Sequence, residues 1–460
     1  MSQDQTNSFH QFLNTRVHIA PLAVFRILFG AMMFASTLRF MLKGWVYDLY
    51  IKPQFYFKYY GFEWVQPFDS VGMYTLFVIM AIAALLIMLG YKYRLATLLF
   101  FLSFTYVELI DKSNYLNHYY FVSIVSFLLI LLPAGRYFSI DTYLNPLKTV
   151  THIPRWLMLP LQLQMGLVYF FAGVAKINAD WLLHALPLRI WLPPHTNLPI
   201  IGGFMEELWV AYLFSWFGAI YDLSIPFLLI FKRTRTIAYG LVIIFHIATA
   251  ILFPIGMFPY IMIICTLIFF SESFHLRFIQ IIQQLIESLH LYKSENRVSE
   301  IKPYLFSIRL KKILTLVLIT HFSIQLFMPF RYLLYPGKLF WTEQGYRFSW
   351  RVMLMEKAGK TFFYVKDKTT QKSGEVMMSE ILTPNQEKMM ATQPDMILQY
   401  AHFLKQKYQE QGIANPEIKV LSYVSLNGSG SRLFIDSSVD LTTQKESFRN
   451  KTWILPFTTN

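Results

Sequence analysis

Lys176, in the segment Tyr169 to Trp181, is the residue of this chain with the clearest capacity for chemistry, because it stands at the end of a long apolar run. An ammonium group is costly in hydrocarbon, so a lysine there either extends to the membrane surface or becomes a free amine that acts as a base. The first interpretation makes Lys176 and Asp180 an ordinary helix pair at spacing i, i+4. The small residues Ala172 and Gly173, which permit close approach of a backbone or ligand, favour a pocket. Chemistry alone leaves both interpretations open.

Two histidines are the next candidates. His118 follows Asn117 at the start of an apolar run, on the side of the membrane predicted for Lys176. Two titratable groups at one depth can divide the roles of acid and base, although a lone histidine at a helix start is more often an interfacial residue. His246 follows Phe245 near the middle of another apolar run, where a functional role and a structural hydrogen bond are equally open.

Other common kinds of site are missing from the sequence. There is no phosphate-binding glycine loop, no zinc-spaced cluster of histidines and cysteines, and no nucleophile elbow. Cys265 is the single cysteine of the chain, which excludes an intramolecular disulfide and a cysteine-based metal cluster. We therefore expect no metal site.

Composition points to a membrane protein. Of the 460 residues 55% are hydrophobic and only 15% are charged, too few to cover a soluble protein of this size. The net charge of +14 could suggest nucleic acid. The basic residues lie in short loops between apolar runs, however, where they set membrane orientation. We predict a multi-pass membrane protein that does not bind nucleic acid.

The apolar runs predict an all-α bundle of about nine transmembrane helices. They fall roughly at 18–38, 71–90, 94–110, 117–134, 156–176, 208–231, 236–252, 255–271 and 311–330. Basic residues such as Lys92, Arg136 and Lys232 are more frequent in one set of alternate loops, which should face the cytoplasm. The N-terminus is then cytoplasmic, and nine spans place the C-terminal segment outside.

The last 130 or so residues are more polar and predict a small α+β domain outside the membrane. Strand-like runs occur at Thr361–Lys366, Ile418–Leu426 and Arg432–Ile435, and Asn427-Gly428 is a tight-turn signal. A helix is expected from Pro394 to Tyr408. We divide the chain into a transmembrane catalytic domain, 1–330, and an extracytoplasmic domain, 331–460.

Several segments carry a resemblance along most of the chain: Leu89 to Leu95, Asp111 to Tyr119, Tyr169 to Trp181, Phe245 to Tyr260, Gln393 to Ala401 and Ser425 to Asp440. In this order they resemble the vitamin K-dependent gamma-glutamyl carboxylase family, including its bacterial members with the horizontally transferred transmembrane (HTTM) domain. Residue 175 is alanine, where animal members carry a second lysine. The disulfide-free, compact form suggests a bacterial inner-membrane enzyme.

The resemblance implies roles for the candidate residues. Lys176 takes the position of the family's lysine that deprotonates vitamin K hydroquinone. Oxygen then converts the quinol to its epoxide through a strongly basic alkoxide, which removes a γ-proton from glutamate before carbon dioxide captures the carbanion. His118 matches the family's histidine for the carboxylation half. We expect His246 and Asn117 to bind the cofactor.

The expected function is a carboxylase and epoxidase of the carbon-carbon lyase class. Its cofactor would be reduced vitamin K or a related quinol, with O2 and CO2 as co-substrates, and its partners membrane lipid and a glutamate-containing peptide or protein. Two alternatives stay open: a quinol epoxidase that does not carboxylate protein, and a non-catalytic binding or transport protein on the same scaffold. Transport would favour inverted repeats, which the sequence does not show convincingly.

Overall fold

The computed structural model describes residues 10–289 and 303–458. Its N-terminal part is a bundle of helices connected by loops and short helical turns. In chain order the helices are α1 (Ala20–Leu42), α2 (Ser70–Leu89), α3 (Tyr93–Ile110), α4 (Asn117–Leu131), α5 (Leu159–Ala175), α6 (Leu208–Ile230), α7 (Arg235–Leu252), α8 (Phe258–Thr266), α9 (Glu272–Ser288) and α10 (Ile308–Phe327). A small antiparallel ladder, which the sequence did not predict, joins β1 (Arg16–His18) to β2 (His152–Pro154).

The prediction of nine spans is not confirmed. Within the described residues, six helices are long and apolar enough to cross a membrane: α1, α2, α3, α6, α7 and α10 with the turn that follows it. A seventh span results if Phe258–Phe269 and α9, which meet at a bend of 116°, are counted together. The apolar helices α4 and α5 have 15 and 17 residues, fewer than the roughly 20 that cross about 30 Å of hydrocarbon.

Neighbouring helices of the bundle approach closely where glycine leaves room. At Gly30 of α1, an added Cβ atom would come within 2.4 Å of the backbone nitrogen of Met88, at the end of α2. Large apolar side chains such as Phe29 and Phe100 fill the interior between α1 and α3. This interior is separate from a second core that lies toward the C-terminal part of the chain.

The C-terminal part contains a four-stranded antiparallel sheet with the strand order β4-β3-β5-β6. Its strands are β3 (Lys357–Asp367), β4 (Ser373–Glu375), β5 (Pro416–Leu426) and β6 (Ser431–Leu433), and its main helices are α11 (Pro384–Met390) and α12 (Pro394–Glu410). The three predicted strands and the predicted helix are confirmed, with shifted ends. The turn at Asn427-Gly428 is also confirmed, since both residues have positive φ angles, 51° and 71°.

The second core joins the C-terminal part to loops at one end of the bundle. Trp181 and Leu188, from the loop after α5, share this core with Trp341, Phe363 and Tyr400. Because these loops also contact the sheet through polar side chains, the C-terminal part covers the end of the bundle at which Lys176 lies. The boundary of 330/331 falls inside a helical turn, Met328–Leu334, and the division into two domains stays a prediction.

Buried polar contacts hold this junction together. The side-chain nitrogen of Gln386, in α11, donates to the carbonyl of Phe55 at 2.6 Å and to a carboxylate oxygen of Asp111 at 2.8 Å. Asp395, in α12, forms ion pairs with Nζ of Lys112 at 2.8 Å and with Nη1 of Arg347 at 2.7 Å. Burial alone would raise the pKa of Asp395, but the two cations outweigh it and hold that pKa well below its usual range.

We expect Asp395→Asn to destabilise the protein by about 3 kcal/mol at neutral pH. Arg347 then loses its carboxylate, and Lys112 loses the nearer of its two carboxylates and keeps only Glu446. A carboxyl whose pKa is lower in the folded state stabilises fully above its unfolded pKa, and the effect is lost as pH falls toward the folded value. The difference between wild type and variant should therefore be constant from about pH 8 to pH 5 and shrink below about pH 4. Thermal unfolding in detergent measures it.

Glu375→Gln, on the exposed strand β4, serves as the control and should leave the unfolding temperature nearly unchanged at every pH. A wild-type advantage over Asp395→Asn that persists undiminished down to about pH 2 would contradict this account of the junction.

Candidate active site

Lys176 caps the C-terminal end of α5 and is buried, with 6% of its surface exposed. Its Nζ donates to a carboxylate oxygen of Asp222 at 2.6 Å and to the carbonyl of Ala172 at 3.3 Å. The indole ring of Trp181 covers the ammonium group, with its centroid 5.3 Å from Nζ. The amine therefore points into the protein and does not extend to the membrane surface.

The interpretation that Lys176 and Asp180 form an ordinary helix pair is wrong. Asp180 instead accepts Nζ of Lys338 at 2.8 Å and the side-chain amide of Asn427 at 2.9 Å. The physical reason is that α5 ends at Ala175, so residues 176 and 180 do not lie on one continuous helix face. Asp180 faces the C-terminal sheet, whereas Lys176 faces α6.

Asp222 reaches Lys176 because α5 and α6 lie in contact. At Gly173 an added Cβ would come within 2.7 Å of the backbone nitrogen of Leu223, which confirms that this glycine permits close approach of a backbone. Ser215, Gly218 and Asp222 lie on one face of α6. Gly218 lies beside the aliphatic part of Lys176, and the carbonyl of Ser215 accepts the indole N–H of Trp181.

A narrow cleft opens beside the ion pair. Its polar side chains include Lys176, Asp222 and His246, and much of the remaining wall is aromatic or aliphatic. The aromatic residues include Trp181, Trp191, Phe214, Phe245, Phe253 and Phe258. Such a cleft suits a flat apolar ring that carries a few polar groups.

His246 lies in the middle of α7 and is 2% exposed. A chain of hydrogen bonds assigns its tautomer. The hydroxyl of Thr266 donates to the carbonyl of Met262, so the Tyr169 hydroxyl donates to Thr266 and accepts N–H from Nε2 of His246, at 3.2 Å. A neutral His246 then has an unprotonated Nδ1, which has no hydrogen-bond partner within the described residues.

His118 lies in the first turn of α4 and is 7% exposed. It does not line the cleft. Its ring lies 6.0 Å from the ring of Phe258, whose other neighbours include His246 at 5.8 Å. The structure therefore brings Lys176 and His246 together in one cleft and places His118 next to it, across Phe258.

Asn117 connects α4 to the C-terminal part. Its amide nitrogen donates to the carbonyl of Arg351 at 2.8 Å, and its oxygen accepts the hydroxyl of Tyr115 at 3.0 Å. Val352 and Met353, which follow Arg351, line the cleft. Asn117 thus positions a wall of the cleft, and its direct contact with a cofactor stays a prediction.

Asp222 is the residue that sequence reasoning missed. It is an acid inside the apolar run of α6, and an intramembrane acid signals function in the same way as an intramembrane lysine. Lys176 and the histidines were predicted site residues, whereas Asp222 was not among them. Which cation an acid meets still depends on how the helices pack.

Two known families match the chain. The HTTM domain family matches residues 14–274, and the family described as "Vitamin K-dependent gamma-carboxylase, lumenal domain" matches residues 310–460. The first match alone covers more than half of the chain. The chain belongs to the vitamin K-dependent gamma-carboxylase family. No solved structure matches it.

Membership of this family bears on the protein's location, cofactor and substrate class. It is a multi-pass membrane protein, its family implies a vitamin K cofactor, and the family acts on glutamate-containing protein substrates. The residues of the cleft fit a reduced quinone. The orphaned Nδ1 of His246 and the amine of Lys176 are partners for ring hydroxyls, and the aromatic walls fit a flat ring and an apolar tail.

The ion pair predicts a characteristic pattern of stability. Asp222→Leu and Lys176→Met should each be strongly destabilising, by about 3–5 kcal/mol, because each leaves one charge buried without its partner. The double variant should cost much less than the sum, since both charges are then replaced by apolar groups. Thermal unfolding of the three variants in detergent measures the coupling.

Asp180→Leu combined with Lys176→Met is the matched control, and these two effects should add. Simple additivity for the Asp222 and Lys176 variants would show that the two side chains do not form a pair.

Proposed function

We propose that this protein is a vitamin K-dependent gamma-glutamyl carboxylase-like enzyme, which couples oxygenation of reduced vitamin K or a related quinol to carboxylation of glutamate. The observation that carries the proposal is the buried pair of Lys176 and Asp222 facing an apolar cleft. When bound, the quinol supplies with O2 the strong base that removes a γ-proton from glutamate, and CO2 captures the resulting carbanion.

The ion pair supports the role of proton acceptor. In its neutral form the pair has one proton that either the amine or the carboxylate can hold. Nζ of Lys176 can pass its proton to Asp222, 2.6 Å away, and take another from a hydroxyl in the cleft. The pair then has one net positive charge, which the low dielectric of the site makes strongly attractive to a neighbouring anion. Lys176 is therefore the proposed catalytic base, and Asp222 the residue that positions it.

His246 supports orientation of the ligand. Its Nδ1 is available as a hydrogen-bond acceptor, because Tyr169 holds Nε2 as the donor. A ligand hydroxyl that donates to this nitrogen would orient the ligand in the cleft. The surrounding aromatic side chains exclude water, which would otherwise quench a strong base.

His118 is proposed for the carboxylation half, as the resemblance implies. Its place across Phe258 from His246 separates it from the cleft that would hold the quinol. Two groups that serve successive half-reactions need to lie near each other but need not line the same cleft. The arrangement agrees with this division of roles.

We also propose a bacterial inner-membrane location, with the N-terminus in the cytoplasm and the C-terminal domain outside. Lysines and arginines are concentrated in loops of the bundle end that lies away from the C-terminal domain, such as those at Lys92, Arg136 and Lys232.

The decisive experiment uses purified full-length protein with reduced vitamin K and O2. We expect formation of the epoxide and, with a glutamate peptide, incorporation of labelled bicarbonate into that peptide. Epoxide without incorporation would identify an epoxidase that does not carboxylate. If neither product forms, a binding or transport role is left, and the proposal is overturned.

Lys176→Ala should reduce epoxide formation by about 10²-fold or more, because the general base is removed. Asp222→Asn should also reduce it, since the amide cannot store a proton. Asp180→Asn is the matched control and should retain most of the activity, because Asp180 does not contact Lys176. Epoxide assays of the purified variants decide this, and a wild-type rate for Lys176→Ala would refute the assignment of the base.

His118→Ala should lower carboxylation by about 10²-fold or more and spare epoxide formation by comparison. The ratio of epoxide to carboxylated peptide should therefore rise. His184→Ala, an exposed histidine of the outer loop, should leave the ratio unchanged. Equal losses of both products for His118→Ala would argue against a role limited to carboxylation.

A further inference from the structure

The helix α9 packs against the start of α1. Its buried residue Ile279 contacts the first turns of α1 at Ala20 and Ala23. The carboxylate of Glu272, the first residue of α9, accepts the backbone N–H of His18 at 3.2 Å. Because α1 is one of the helices long and apolar enough to cross a membrane, α9 lies at the level at which α1 enters it.

The chain turns sharply before α9. Phe258–Phe269, which contains α8, and α9 meet at a bend of 116°. The carbonyl of Ile268 accepts the side-chain amide of Gln162, near the start of α5, at 3.1 Å. α8 therefore ends close to the end of the bundle at which α1 and α5 begin. With a bend of this size, α9 neither continues the direction of the preceding helix nor returns beside it.

One side of α9 exposes large apolar side chains. Phe274, Ile281 and Leu285 are 38%, 64% and 59% exposed. At about 100° per residue, these three side chains lie within about 40° of one another around the helix axis. Singly exposed apolar residues are common on proteins, but an aligned row of this kind indicates a contact with lipid or with another protein.

A second side of α9 is exposed and polar. Arg277, Gln280, Gln284 and Glu287 are all exposed and lie within about 80° of one another around the axis. The apolar side, the polar side and the buried side at Ile279 are separated by about 100° to 140°. A helix with three such sides can contact the bundle, hydrocarbon and water at the same time.

The position of α9 favours lipid as the partner of its apolar side. The hydrocarbon that surrounds α1 continues next to α9, because α9 lies beside the first turns of that helix. If α9 were instead the second half of a membrane span, Arg277 and Glu287 would face hydrocarbon, which is costly for charged groups. A helix that lies along the membrane surface leaves both residues in water.

The charges at this end of the bundle favour anionic lipid. Lys311 of α10 donates from Nζ to the side-chain oxygen of Asn14 at 3.3 Å, which places the first turn of α10 at the same end. The acids of α9 are Glu272 and Glu287. Exposed basic residues here are Arg16, Arg277, Arg309, Lys311 and Lys312. An excess of positive charge near the membrane surface attracts anionic phospholipid.

We infer that α9 lies on the membrane surface at this end of the bundle and binds anionic phospholipid. Phe274, Ile281 and Leu285 insert among the acyl chains, and Arg277, at the border of the apolar and polar sides, lies beside the lipid phosphates. On the proposed topology this surface is the cytoplasmic leaflet. The contact with lipid does not depend on the proposed reaction.

The first test determines what each side of α9 contacts. Ile281→Cys and Gln284→Cys are labelled with a fluorophore in full-length protein, in nanodiscs of phosphatidylcholine and phosphatidylglycerol. Wild type, whose single cysteine is buried, is the labelling blank. Nitroxide-labelled lipid should quench the label at Ile281 several-fold more strongly than the label at Gln284, and iodide in the water should show the opposite preference. Leu285→Cys is a second reporter of the apolar side if Ile281→Cys does not fold.

The second test measures binding of the lipid. Fluorescent phosphatidylglycerol and phosphatidylcholine are titrated into detergent-solubilised full-length protein. Arg277→Gln should bind phosphatidylglycerol about fivefold more weakly than wild type does and should bind phosphatidylcholine equally well. Arg189→Gln is the matched control, because it removes the same charge from an exposed position in the loops next to the C-terminal part, and it should bind both lipids as wild type does.

Three outcomes would overturn the inference. Equal quenching of both labels by iodide would place the apolar side of α9 in water. Protection of the label at Ile281 from both quenchers would assign the apolar side to a second copy of the chain or to another protein. An unchanged affinity of Arg277→Gln for phosphatidylglycerol would show that this arginine does not bind an anionic headgroup.

Discussion

The ion pair between Lys176 and Asp222 constrains the structure around it, because neither charge can be buried at membrane depth without the other. The pair requires α5 and α6 to touch, and Gly173 makes that contact possible. It also requires cover from water, which Trp181 provides by stacking over the amine. The apolar cleft beside the pair thus places two reactive groups where a hydroxyl of a ligand would meet few competing polar groups.

The C-terminal part completes this cleft as well as covering one end of the bundle. Val352 and Met353 reach the cleft from outside the membrane helices, and Asn117 holds the chain next to them. Asp395 and Gln386 fix the sheet domain on the loops of the bundle. The two regions that match separate families therefore depend on each other physically, since the C-terminal region supplies walls and the bundle supplies the buried charges.

On the proposed function, the two half-reactions would use neighbouring positions. Lys176, the proposed proton acceptor, and His246 line one cleft, and His118 lies next to that cleft, across Phe258. The aromatic side chains of the cleft would enclose the reactive quinol and exclude water from it.

The sequence alone determined features that depend on local patterns. The length of the apolar runs indicated a membrane protein. Alternation of apolar and polar residues indicated the strands at Thr361–Lys366 and Ile418–Leu426. Lys176 and His246 were selected because ionisable residues are rare within apolar runs. The tertiary structure decided which charges meet: Asp222 rather than Asp180 pairs with Lys176, although 46 residues separate them. It also decided where helices end, so that nine predicted spans are not confirmed. Helix packing fixes the partner of a buried charge. The spacing of two residues along the chain does not determine how far apart their side chains lie in the fold.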